Sequence, residues 1–120
     1  MSLRGIRGAT IVEANTSPAL LGATTELLRE MMWANQVDPA NIASIFFSVT
    51  PDLNAEFPAK AARDLELTNT ALFCLNEIPV PGALGSCLRI LIHVNTDKPQ
   101  SQIKHVYLRE AIRLRPDHQK

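Results

Sequence analysis

The chain has 120 residues, 46% hydrophobic and 20% charged, enough for a single domain, residues 1–120, with a modest core. Twelve Lys+Arg balance twelve Asp+Glu, which excludes the broad basic field of a nucleic-acid binder. No apolar run approaches the ~20 residues of a spanning helix, and the arginines at 4 and 7 precede no signal-peptide core, so a soluble, cytoplasmic protein is expected.

Residues 3–13 combine β-branched residues, two glycines and a short alternation, and predict a first strand. Alternation puts Arg7 on one face with Gly5 and Ala9, a guanidinium between two very small neighbours. Asn15-Thr16-Ser17-Pro18 reads as a helix start, with Thr16 or Ser17 as cap and Pro18 in the first turn. Leu20, Leu21, Thr24, Leu27, Leu28, Met31 and Met32 follow at spacings of three and four, an apolar stripe to be laid on a sheet. Trp33 is read as a packing aromatic. Gln36 to Pro39 ends the helix, and Asp38 is placed to cap a brief turn.

Residues 42–50 are nearly all apolar, as in a strand buried on both faces. Pro51-Asp52 opens a loop, and Pro58 starts a short helix running to Leu65. Residues 70–78 predict another strand, Pro79 to Gly82 a turn, and residues 88–94 a long apolar strand. Segments 103–108 and 111–114 read as short strands, or as a strand and a helical turn. Residues 116–120 form a polar tail expected to fray. The order implies an α/β (α+β) fold: a mixed five-stranded sheet with helices on one face. The apolar character of the other face calls for association with further copies.

Several residues carry more charge or reactivity than this frame requires. Arg89 interrupts an oily strand, which is costly unless it is paired or faces a site; Glu77 is the nearest candidate for a plain ion pair. Alternation puts Glu77 and Cys74 on opposite faces, so they serve neighbouring clefts unless the strand bends. Cys74 by itself reads as a core thiol. Lys60, in the first turn of the short helix, opposes the helix dipole and stands beside free backbone N–H groups, where an anion could dock; the plain alternative is a solvated lysine. Arg63 reads as solvent-facing, and Tyr107 and Arg115 add a hydroxyl and a guanidinium near the C-terminus. Cys74 and Cys87 have no histidines at ligand spacing, so neither metal nor disulfides are expected. His93, His105 and His118 are scattered, and neither a nucleophile elbow nor a Gly-rich phosphate loop occurs. The inventory suits anion binding, or a reaction driven by shape and electrostatics alone.

The segments Arg4-Gly5-Ile6-Arg7-Gly8-Ala9-Thr10, Ser48-Val49-Thr50-Pro51-Asp52-Leu53, Phe57-Pro58-Ala59-Lys60-Ala61 and Gln102-Ile103-Lys104-His105-Val106-Tyr107-Leu108, with Leu114-Arg115-Pro116-Asp117, resemble the monofunctional, trimeric chorismate mutases of the pseudo-α/β-barrel class. The resemblance runs from about residue 3 to 117. It implies conversion of chorismate to prephenate on the route to phenylalanine and tyrosine, without cofactor or metal, in a homotrimer with active sites at subunit interfaces. By motif position it implies Arg89 as the partner of the ether oxygen. Arg7 and Tyr107 would hold a carboxylate, and Glu77 and Cys74 would contact the ring hydroxyl and ring. Phe57, Ala59, Leu72 and Leu114 would be walls, with Lys60 and Arg115 at the mouth. Phe73 occupies a wall position where a smaller polar residue is familiar. Residues 66–70 are one short of the pattern, so nothing is carried over between 64 and 71. Two readings compete: a non-catalytic trimer binding a small carboxylate metabolite, and an enamine or imine deaminase of similar shape.

Overall fold

Hydrophobic alternation on three long strands and one apolar helix stripe accounts for most of the architecture. A computed structural model describes residues 1–114; Arg115 and the tail 116–120 lie outside the described residues. Strand β1 (Ser2–Ile11) pairs antiparallel along its whole length with the strand Cys87–Thr96. Between them in sequence come helix α1 (Ser17–Ala34), β2 (Ile42–Val49), helix α2 (Ala59–Asp64) and β3 (Ala71–Asn76). The strand Cys87–Thr96 is β4, and the two-residue β5 (Val106–Tyr107) precedes a 3-10 segment, Arg109–Leu114. The sheet order is β3-β2-β4-β1-β5; β4 is antiparallel to both its neighbours, while the outer pairs β2–β3 and β1–β5 are parallel.

One sheet face carries Ile6, Ile45, Phe47, Leu88, Ile90 and Ile92, all buried against Leu20, Leu27, Leu28 and Met31 of α1. Each such side chain contributes about 1.5–3 kcal/mol on burial. The helix lies so close to β1 that a Cβ on Gly8 would stand 2.3 Å from Met31 Sδ. Thr16 caps α1, its hydroxyl accepting from Ala19 N–H at 3.2 Å. Asn35, also buried, donates to the Met31 and Lys104 carbonyls and accepts from Lys104 N–H, fixing the helix end to the approach of β5. Asp38 caps the 3-10 turn Pro39–Asn41 as its spacing suggested.

Two expectations are corrected. Trp33 is 80% exposed and does not pack. It lies two residues beyond Met31, about 200° around the helix from the buried stripe. Strand β2 is buried on one face, not two: Ser44, Phe46 and Ser48 are only half-buried within the chain. Phe73 and Leu75 extend this open face and are exposed. The helices cover one side of the sheet and leave an apolar surface on the other.

Candidate active site

The open face of the sheet owes its polar groups to strand alternation and register. On β4 the even-numbered residues from 88 to 94 are buried, so Arg89 projects to the opposite side. Its ladder neighbours are Ser48 on β2 and Ala9 on β1. Ser48 and Ala9 are small, and a long guanidinium has room to lie over them. Glu77 continues β3, its N–H donating to the Val49 carbonyl at 2.8 Å, and reaches the same place from the far side of β2.

Arg89 Nη1 donates to Glu77 Oε1 at 3.1 Å, and Ser48 Oγ donates to Glu77 Oε2. The plain ion-pair reading of Arg89 is therefore realised. The pair is not sealed: the side chains are 38% and 25% exposed, and both line an open cleft. Arg7 and Tyr107 line it too, giving a concavity of about 420 Å³ floored by Phe46 and Leu91. Arg7 N–H donates to His105 Nδ1 at 3.0 Å, so the histidine that looked incidental fixes the strand carrying Arg7. On its other side Arg89 borders a recess of about 600 Å³ with Thr50, Asp52, Cys87 and Leu114.

Cys87 is 2% exposed, and burial pushes its thiol up to about 11 from 9.0. Asp52 is held below its ordinary 3.8, first by the Thr50 hydroxyl and then by donors on Ser86.

The remaining candidates lie elsewhere. Cys74 and Glu77 do sit on opposite faces, as alternation requires. Cys74 pairs in register with Phe47, packs toward the core side, and lines a second recess of about 370 Å³ with Phe57. Leu75 and Asn76 border both this recess and the Arg89 cleft, so edge strand β3 is the partition between them. Phe57 is exposed on a loop stapled to the start of α1: Asn15 Oδ1 accepts from Asn54 and Ala55 N–H, and Ser17 Oγ donates to Glu56.

Ala59 lines neither cleft within the chain; it is buried in the core cluster, and Leu72 packs against that cluster. Phe73 lies on the open face, its ring edge-on to Phe46 at 6.2 Å. Lys60 stands outside both clefts, 3.9 Å from Glu56, whose carboxyl is lowered by the Ser17 hydroxyl, by Phe57 N–H and by Lys60 itself. Leu114 borders the Arg89 recess. Sequence reasoning assigns no role to Ser48, Thr50 or Asp52; the register places Ser48 opposite Arg89, while Thr50 and Asp52 share the recess that Arg89 borders.

The chorismate mutase type I family model matches residues 3–118. The chain is 48% identical over 116 residues to the chorismate mutase AroH of Thermus thermophilus, covering 96% of this chain and 95% of that one. It is 44% identical over 118 residues to the chorismate mutase AroH of Bacillus subtilis, covering 98% and 93%. The solved chorismate mutase of Clostridium thermocellum superposes with a TM-score of 0.88 at 52% identity, covering 89% of this chain and 96% of that one. The chain belongs to the chorismate mutase type I family, and neither the binder nor the deaminase reading is retained.

Proposed function

We propose that this chorismate mutase converts chorismate to prephenate by trapping a compact, chair-like conformer and meeting its developing charge with Arg89, in aromatic amino-acid biosynthesis. The reaction is one cyclic electron shift: the ether C–O bond breaks as a C–C bond forms, and no proton changes hands. Negative charge grows on the ether oxygen partway through. An enzyme accelerates such a step only through contacts stronger in the transition state than in the bound substrate. A guanidinium already fixed in place meets that charge without reorganising.

Glu77 serves this arrangement. Held by Ser48, it takes one N–H edge of Arg89 and so orients the plane of the guanidinium, leaving other edges to face the cleft. Its carboxylate then accepts from the ring hydroxyl of the substrate. Arg7 and Tyr107 bind a substrate carboxylate. Leu114 closes one side. The convergence of Arg7, Glu77, Arg89 and Tyr107 on one cleft of an otherwise oily face is the observation that carries this reading.

Phe57 and Cys74 reach the ring only if they come from a neighbouring protomer, because β3 separates them from the cleft of their own chain. Ala59 and Leu72 then act by seating Phe57 and Cys74, and Lys60 guards the outer rim. The exposed Phe73 and Leu75 favour a trimer in which open faces cover one another. No helix among the described residues is long and apolar enough to cross a membrane. Two unpaired thiols, Cys74 and Cys87, suit a reducing cytoplasm.

The decisive test is the loss of chorismate absorbance with purified protein and no additive, beside the mass in solution. Turnover by a particle of three times the chain mass is expected; turnover by a monomer would refute the shared site.

A further inference from the structure

We infer that Thr50 and Asp52 form a clasp that positions Arg89, acting on the reaction through the start of β4 and not by touching substrate. The inference rests on the reading of Arg89 given above. Where β2 ends, the chain turns, and the Thr50 carbonyl accepts from Leu53 N–H at 3.0 Å. That carbonyl would otherwise have continued the ladder to β4, where Thr50 N–H still donates to the Cys87 carbonyl at 3.0 Å. Cys87 N–H has therefore lost its ladder acceptor, and the Thr50 hydroxyl replaces it at 3.0 Å. The hydroxyl in turn donates a hydrogen bond to Asp52 Oδ1.

The other Asp52 oxygen accepts from Ser86 N–H at 2.9 Å and from Ser86 Oγ at 3.2 Å. Ser86 stands at φ 50°, a conformation costly for a residue with a Cβ, and it is held there immediately before the first residue of β4. The neighbouring Gly85 leaves room for that carboxylate: a Cβ there would stand 3.2 Å from Asp52 Oδ2. A side-chain clasp thus completes the backbone ladder at the root of the strand. Arg89 emerges two residues further on, on the same face as Cys87.

A guanidinium that must meet charge present only in the transition state is sensitive to such anchoring, since a displacement of about 1 Å can cost about a hundredfold in rate. Loosening the clasp should lower kcat and leave KM nearly unchanged.

Asp52→Ala, Thr50→Val and Thr50→Ser are compared for kcat, KM and melting temperature, with binding of a bicyclic dicarboxylate transition-state mimic measured by calorimetry. Asp52→Ala and Thr50→Val are expected to lose about ten- to a hundredfold in kcat. They should lose mimic affinity in parallel, while Thr50→Ser, which keeps the hydroxyl, stays within about threefold of the parent. The same mimic is titrated into Arg89→Ala with and without Asp52→Ala. Because the clasp acts through Arg89, the second substitution should add nothing there, although it still lowers the melting temperature. An undiminished loss of mimic affinity in the Arg89→Ala background would overturn the inference, as would Thr50→Ser failing like Thr50→Val. If Asp52→Ala does not fold, the two Thr50 variants make the same comparison in the same backgrounds. Full activity of Arg89→Ala would refute the earlier reading of Arg89; full activity of the clasp variants with Arg89→Ala inactive would refute only the clasp.

Discussion

The Arg89 cleft and the Phe57–Cys74 recess differ in what holds them. The two guanidinium groups of the cleft stand on β1 and β4, whose long ladders fix them by register; Glu77, itself held by Ser48, ties Arg89 further, and His105 ties the backbone of Arg7. The recess stands on edge strand β3, the end of β2 and the loop from Leu53 to Pro58, and its aromatic projects into solvent. Charge stabilisation needs donors that do not move during reaction, so it belongs at the centre of a sheet. Enclosing a ring needs only shape, which an edge can supply, and an edge is what a neighbouring protomer can reach.

The harshest way to break this contrast is Arg89→Ala. Losing one preorganised donor to a developing oxyanion costs about 3–4 kcal/mol, so kcat should fall by at least about a hundred- to a thousandfold with the fold intact. The absorbance assay and circular dichroism check it together. Arg89→Lys should also be poor, because an ammonium lacks the planar fork that Glu77 orients.

Next comes mixing. Phe57→Asp puts a carboxylate against a dianionic substrate and should be nearly inactive, yet folded, because Phe57 is exposed. Unfolded together with Arg89→Ala and refolded, it should regain activity in about one site in four, where an intact cleft meets an intact neighbouring wall. No regain would mean that the two regions do not share a site across protomers.

Cys74→Ala trims the ring contact only, and should change kcat/KM by no more than about tenfold, chiefly in KM. A loss as large as that of Arg89→Ala would erase the distinction between the regions.

The smallest effect compares the two thiols in alkali. The raised Cys87 thiol stabilises the fold fully below pH 9.0, and that contribution is lost as pH rises through about 11, because the unfolded chain ionises first. Melting temperature against pH should fall over that window by the equivalent of at most about 2–3 kcal/mol, and Cys87→Ala should flatten the fall. Cys74→Ala should leave it in place.

Much of this was legible in advance, for local reasons. The helix stripe, the Thr16 cap, the Asp38 turn and the opposite faces of Cys74 and Glu77 follow from periods of 3.6 and 2. The same periodicity, applied to Trp33, would have put it in solvent; its hydrophobicity pointed the wrong way because bulk does not decide which side of a helix meets the sheet. Ala59 teaches a different point: a matching motif position does not say whether a small side chain turns inward or out, and within the chain this one turns inward. Arg115 and the tail 116–120 lie outside the described residues.

By itself the sequence determined the strands and helices, which residues alternate to which side, and that Arg89 needed a partner or a purpose. Only the tertiary structure decided that Ser48 stands opposite Arg89, that Glu77 reaches it across β2, and that a hydroxyl of Thr50 completes the ladder at the root of β4. Those facts depend on register between strands about forty residues apart, and on where a turn diverts one carbonyl. Periodicity fixes which side a residue faces; only the folded pairing fixes what it faces.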